Sequence, residues 1–412
     1  MSLGALIHPR AGLVLDERHL GRDAILQHAK ASSPLSGVVE TPAGDPLTAL
    51  STLDAAWRGG ALPMPCRGLG QPRSLPYASI EGALLLRTSG STGEPRLATF
   101  SVEALSWSVA AIGQSLGLEP GDRIGLVAPV DHGFGLIGVL LAGLAAGAQV
   151  VVAGGAFAEE RASRVARGRC TVVAAVPSVL DGLVQALPAE ARGRVRQLGS
   201  AGGPLSPAVV DRLRTACPKA VLLNQYGCTE AGPRLTICRS DAPVFDRGSV
   251  GQPLPGVQIE IDQGEIVFSS PGQMMGYLGQ PDATAQAACR LSTGADGWRT
   301  GDLGRVEGGA LYVEGRRDDR VKIRGEWVDL GAISASVTAL GATQAFATTV
   351  SGGAAEPRVV VLYVRDEPLR ALDVLPHLPP GIVPRLRRVD ALPALPSGKL
   401  DRVAAHALAE IT

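Results

Sequence analysis

Leu84-Leu85-Leu86-Arg87-Thr88-Ser89-Gly90-Ser91-Thr92-Gly93-Glu94-Pro95-Arg96 runs from an apolar strand straight into hydroxyls, two glycines and a basic residue. Glycines let backbone N–H groups approach an anion, hydroxyls add donors, and Arg96 supplies positive charge. The stretch reads as a phosphate cradle, with a Ser/Gly-rich surface loop as the equal alternative if it stood alone. The GxxxxGK[ST] order is absent, which argues against a phosphate-loop NTPase.

Downstream of this loop, short apolar strands alternate with helical segments as far as about residue 255. Ala83–Leu86, Arg123–Val127, Val150–Ala153, Val172–Ala175, Val195–Leu198 and Ala220–Leu223 are the strand candidates. Such alternation implies βαβ units and a mainly parallel sheet covered by helices, an α/β fold. Upstream, residues 1 to about 80 carry a weaker pattern punctuated by Pro and Gly, with one helix near Leu20–Ala31. From about 256 to 315, GVQIEID, GEIVFSS and ALYVEG suggest a small β-rich piece. The charged run Gly315-Arg316-Arg317-Asp318-Asp319 then breaks the pattern. Beyond it, VKIRGEWVDL reads as a hairpin with a Gly325-Glu326 turn, followed by a helix and the strand RVVVLYVR. The pattern predicts a large N-terminal α/β domain (1–315), a break (316–318) and a small C-terminal α+β domain (319–412).

The 412 residues hold 39 Lys+Arg against 39 Asp+Glu, and only four of the basic residues are lysines: Lys30, Lys219, Lys322 and Lys399. Zero net charge argues against a general nucleic-acid or acidic-membrane binder. Six scattered cysteines show no CxxC pair or metal-type spacing, so a reducing cytoplasm is expected and a disulfide framework is not. No signal-peptide pattern is read at the N-terminus. Gly133–Ala158 is long and apolar enough to imitate a membrane span. Its helix-formers give way at Gly147 to Gln149-Val150-Val151-Val152, however, and a helix feeding a buried strand explains it better.

Further segments join the 84–96 stretch in one order: Asn224-Gln225-Tyr226-Gly227-Cys228-Thr229-Glu230, Trp298-Arg299-Thr300-Gly301-Asp302, Gly315 to Gly325, and Pro396-Ser397-Gly398-Lys399-Leu400-Asp401-Arg402. Together they resemble the adenylate-forming superfamily of acyl- and aryl-CoA synthetases, luciferases and peptide-synthetase adenylation domains. The resemblance covers about residues 83 to 402. It implies that a carboxylic acid is activated by ATP as an acyl-adenylate with loss of pyrophosphate. A thiol, either coenzyme A or the phosphopantetheine of an acyl carrier protein, then displaces AMP.

The resemblance assigns Thr88, Ser89, Gly90, Ser91, Thr92, Gly93 and Arg96 to the phosphates, Thr229 to the AMP phosphate and Glu230 to Mg²⁺. Asn224, Tyr226, Gly227 and Gly202 fall in the segments around the nucleotide and acyl pocket. Asp302 is matched to the ribose, with Arg316 as its companion, Asp318 to a hinge (316–318) about which the resemblance implies that the C-terminal domain moves as a mobile lid (319–412), and Lys322 and Gly325 to the hinge motif. His132, in Asp131-His132-Gly133-Phe134-Gly135, lies where the family places a His or aromatic beside the carboxylate pocket; a satisfied core histidine is the alternative. Lys399 is matched to the lysine that bridges the acyl carboxylate and the α-phosphate, a task suited to a compact ammonium. Taken alone, Thr229-Glu230 would be a helix N-cap and Asp302 a turn aspartate.

The pattern departs from the family in three places. Arg96 stands where Lys is usual, Ala332-Ile333-Ser334 replaces a Glu-Ile-Glu-like string, and the signature loop comes early in the chain. The last departure implies a shortened N-terminal subdomain, with the substrate tunnel built from less protein or completed by a partner protomer in a homodimer. No counterpart of the aspartate that holds an amino group is read, so an aryl or fatty acid is expected rather than an amino acid. An amine acceptor and a catalytically silent nucleotide-binding scaffold are the remaining alternatives.

Overall fold

The computed structural model describes residues 1–15, 18–76, 82–88, 96–323, 326–350, 358–375, 383–395 and 398–411. Among these, a nine-stranded sheet dominates. In spatial order its strands are Gln252–Pro253, Thr236–Arg239, Val221–Tyr226, Gln197–Ala201, Val172–Ala175, Arg123–Leu126, Gln149–Val152, Gly12–Leu15 and Arg18–Gly21. The run from Val221–Tyr226 to Gly12–Leu15 is parallel throughout, and the outer strands are antiparallel.

Successive strand residues point to opposite faces, and here both faces are covered. Ile124, Leu126, Val150, Val172, Ala174 and Leu223 pack into one core with the Val102–Ser115 helix. Val127, Val151, Val173, Ala175, Leu198 and Leu222 pack into the other, with the helices Ala158–Arg167, Pro177–Ala186 and Pro207–Ala216. The near-continuous apolar runs of the sequence are the signature of strands buried on both sides.

One strand assignment is corrected. Leu84–Arg87 is not in the parallel sheet; it pairs antiparallel with Leu97–Phe100, in a three-stranded sheet completed by Gly276–Tyr277. Only nine residues separate the two strands, fewer than a parallel crossover needs, so the pair is antiparallel. The Gly133–Ala158 run resolves into a short helix (Gly133–Gly135), a π-helical stretch (Leu136–Leu141), another helical turn (Ala142–Ala145) and the strand Gln149–Val152. Gly147 ends the helical part at φ +84°, where a Cβ would meet the His8 ring at 2.6 Å. Among the described residues no helix is long and apolar enough to cross a membrane.

At the start of three parallel strands, Asp122 acts as a clamp. Its Oδ1 accepts from Thr171 Oγ1 (2.9 Å) and Arg196 Nε (2.8 Å), and its Oδ2 from the Glu119 N–H (2.9 Å). Burial works to raise this carboxyl's pKa, but the Arg196 hydrogen bond and the other donors win and hold it below the usual range.

The chain divides into two compact units, the first holding 1–260, 267–300 and 306–311, the second 261–266, 301–305 and 312–412. The expected hinge at 316–318 lies within the second unit as so divided. There the strands Gln344–Val350, Arg358–Val364 and Arg385–Arg388 form a sheet. Val359, Val361 and Tyr363 face a core shared with the helix Leu330–Ala339, while Val360 and Leu362 face Ala405 and Ala409 of the helix Arg402–Glu410. Ile333, in the departing Ala332-Ile333-Ser334 string, is buried, and Ser334 Oγ accepts from the Ala347 N–H at 2.8 Å. The expected hairpin is present, but its register pairs Ile323 with Glu326. Glu326 therefore belongs to the strand and not to the expected turn, while Arg324 and Gly325 lie outside the described residues.

Candidate active site

The C-terminal ends of parallel strands gather the loops that bind ligands in open α/β sheets. His132, Gly202 and Gly227 follow the ends of the strands Arg123–Leu126, Gln197–Ala201 and Val221–Tyr226. The neck of the phosphate loop is fixed by two bonds: Thr88 N–H donates to Arg96 O (2.9 Å), and Arg96 N–H donates to Thr88 Oγ1 (3.1 Å). Ser89, Gly90, Ser91, Thr92 and Gly93 lie outside the described residues.

From this neck a chain of contacts leads to the second motif. The Arg96 guanidinium lies 5.2 Å from the ring centroid of Tyr277, and the Tyr277 hydroxyl donates to Glu230 Oε1 at 2.8 Å. Burial first, then the charge of Glu230, pushes the phenol's pKa well above its ordinary value, so it remains a donor. Backbone geometry holds Glu230 as well, since the Met274 N–H donates to its carbonyl at 2.8 Å. Thr229–Ala231 form a single 3₁₀ turn without a side-chain cap, ended by Gly232 at φ +69°. Gly227 is required by close approach, since a Cβ there would sit 2.2 Å from Pro233 O.

Asn224 is buried and donates to Ser249 O at 3.0 Å, while Tyr226 is half-buried at the end of the same strand. His132 precedes the Gly133–Gly135 turn with its side chain 40 % exposed, its Nε2 4.0 Å from Asp131 Oδ1. The adjoining Gly133 abuts Leu86 and Pro233, so this segment meets both the hairpin strand and the Thr229–Glu230 connection. Gly202 takes φ +83° on an exposed bend.

A second group forms within the second unit. Arg316 Nη1 donates to Asp302 Oδ1 at 2.8 Å and its Nη2 reaches Asp318 Oδ2 at 3.4 Å. Asp302 is in the long strand Asp296–Glu307, not a turn, and Gly301 before it adopts φ +74°. Glu265, unforeseen from sequence, accepts from the Gly301 N–H (3.0 Å) and from Arg317 Nη1 (3.1 Å). The side chain of Lys322 and all of Gly325 lie outside what is described.

Lys399 occupies a tight turn in which Leu395 N–H donates to Lys399 O and Gly398 N–H to Leu395 O, both at 2.8 Å. Asp401 then caps the helix Arg402–Glu410 by accepting from the Ala404 N–H. Arg402, the first helical residue, pairs with Asp319 of the Arg317–Asp319 turn. The start of the Arg402–Glu410 helix and the Arg317–Asp319 turn are thus tied by an ion pair inside the second unit.

The family model for AMP-binding enzymes matches residues 11–278. The chain belongs to the AMP-binding enzyme family. The matched span of this AMP-binding chain holds Thr88, Arg96, His132, Thr229, Glu230 and Tyr277, whereas Asp302, Arg316, Asp318 and Lys399 lie beyond it. Feruloyl-CoA synthase from Amycolatopsis sp is 30% identical over 324 residues, 73% of this chain and 62% of that protein. Phenyloxazoline synthase MbtB from Mycolicibacterium paratuberculosis is 32% identical over 309 residues, 70% of this chain and 26% of that protein. The match spans less than two thirds of either relative. Among solved structures, ATP-bound MatB from Rhodopseudomonas palustris aligns with TM-score 0.82 at 20% identity, covering 98% of this chain and 96% of that one. That likeness shows the fold: a large N-terminal α/β domain with a parallel sheet, followed by a C-terminal domain.

The family implies Mg²⁺. Among the described residues no group of three or more His, Cys, Asp or Glu side chains could form a cage for a metal. Glu230, a carboxylate oriented by the Tyr277 hydroxyl, fits an ion that arrives with phosphates and takes one or two protein oxygens.

Proposed function

We propose that this chain activates a carboxylic acid with ATP, forming an acyl-adenylate and pyrophosphate, and then transfers the acyl group to a thiol. Coenzyme A or a carrier-protein phosphopantetheine is the acceptor, and an aryl or fatty acid the class of substrate. The single observation that carries the reading is the Thr88–Arg96–Tyr277–Glu230 chain, which joins the two phosphate-associated motifs in one place.

The chemistry requires two anions, an acid carboxylate and the α-phosphate, to meet, so charge stabilisation is the main task. The loop N–H groups and Arg96 bind phosphate oxygens, and Thr229 contributes a hydroxyl to the AMP phosphate. Glu230 would hold Mg²⁺, which when bound neutralises phosphate charge. Asp302, oriented by Arg316, accepts from the ribose hydroxyls. Lys399 places its ammonium between carboxylate and α-phosphate. Asp318 serves as the pivot about which the lid withdraws Lys399 and admits the thiol.

A pyrophosphate-release screen over aryl, fatty and amino acids tests this, with product mass read after coenzyme A is added. The expected result is acid-dependent pyrophosphate release followed by a thioester. No turnover with any acid would contradict it and favour a nucleotide-binding scaffold.

A further inference from the structure

The connection that carries Thr229 and Glu230 ends in Arg234, a residue no motif singled out. Its side chain is 2% exposed, and its Nε and Nη2 have no hydrogen-bond partner. Among the described residues no carboxylate offsets its charge, and burial alone pushes its guanidinium down to about 9, still protonated at neutral pH. The face of Phe134, 5.3 Å away at the ring centroid, is a favourable neighbour for the cation. Gln225 is 3% exposed and leaves both Oε1 and Nε2 unpartnered. Buried polar groups are normally satisfied, so two such side chains together need an explanation.

Both line one cavity, with Phe134, Gly138 and Gly199. Glycines make the room. A Cβ at Gly138 would lie 3.4 Å from Arg234 Nη2, and one at Gly199 would lie 2.4 Å from Gln225 Nε2. Gly138 belongs to the π-helical stretch, a distortion that recurs at functional sites. The free space is about 10 Å³, room for a single water or one carboxylate oxygen and not for an alkyl chain.

We propose that Arg234 and Gln225 receive a second anionic group of the acid substrate, a carboxylate in the first instance. This rests on the acid-activation reading above and narrows it to a small diacid, aryl or short-chain. The unpartnered N–H groups of Arg234 and the Gln225 amide would converge on the carboxylate oxygen seated there, with bonds strengthened by the opposite charges. An amino acid would set its ammonium near an unscreened like charge. A plain fatty chain would leave the buried donors unpaired, a mismatch that sites of this kind reject strongly.

The test compares matched pairs, phthalate with benzoate and succinate with butyrate, by ATP-dependent pyrophosphate release from the full chain. Wild type is expected to favour the diacid of at least one pair by about 30-fold or more in kcat/KM. Arg234→Met should abolish that preference while monoacid turnover persists, and Arg234→Lys should keep part of it. In the absence of substrate, Arg234→Met should melt at a higher temperature, because an uncompensated buried charge has gone. Gln225→Leu gives a second, independent loss of preference should Arg234→Met fail to fold. Equal turnover of both members of each pair by wild type, or an unchanged preference in Arg234→Met, would overturn the proposal. No turnover of any acid, including the monoacids, would instead overturn the acid-activation reading beneath it.

Discussion

The bond between the Tyr277 hydroxyl and Glu230 Oε1 fixes which way that carboxylate faces. Groups that orient a metal-associated carboxylate commonly matter 10- to 100-fold in affinity or activity. Tyr277→Phe keeps the ring beneath Arg96 and removes only the donor. Its half-saturating Mg²⁺ concentration is expected to rise about 10-fold, with little change in melting temperature. An unchanged Mg²⁺ titration would show that the hydroxyl merely fills space. Because burial and Glu230 raise the phenol's pKa, no activity change through the ordinary tyrosine range should arise from it. Tyr277 was not legible in the sequence, where it is one aromatic in Met275-Gly276-Tyr277-Leu278. It reaches Glu230 through a two-residue strand paired with Leu97–Phe100, a long-range register that no local pattern encodes. Arg234 was hidden for a related reason, since a basic residue in a loop ordinarily faces water.

Strands buried on both faces announce themselves as apolar runs, and Arg123–Leu126, Gln149–Val152 and Val172–Ala175 were readable for that reason. The same run at Leu84–Leu86 misled, because composition reports burial and not the direction of the partner strand. At the opposite end of the parallel strands from the motifs, Asp122 holds three strand starts together. Removing one member of such a set leaves donors unpaired, and Asp122→Ala should cost about 2 kcal/mol, or roughly 3 °C in melting temperature for a unit of this size. Activity at 25 °C should be retained. The sign of the pH effect follows from the depressed carboxyl. Its stabilising contribution is complete above the unfolded carboxylate's pKa and is lost as pH falls through the lower folded value. Acid unfolding should therefore be less steep in Asp122→Asn than in wild type. Matching acid-unfolding curves would remove Asp122 from this role.

For the molecule as a whole, the proposed function divides its residues between the two units. The phosphate loop, Thr229 and Glu230 belong to the first unit, and Asp302, Arg316, Asp318 and Lys399 to the second. Motif order in the sequence is what nominated both sets, because glycines, hydroxyls and isolated charges in short strings can be read without knowing how the chain packs. The Arg402–Asp319 pair was not legible, since it joins positions far apart in the chain. The central claim is that Lys399 supplies an ammonium to adenylate formation, in a chain that otherwise spends almost all its positive charge as arginine. The most direct measurement is acid-dependent pyrophosphate release by Lys399→Ala beside its ATP affinity. The account predicts that release falls by about 100-fold or more while ATP binds nearly as in wild type. Wild-type-like pyrophosphate release from Lys399→Ala would contradict it.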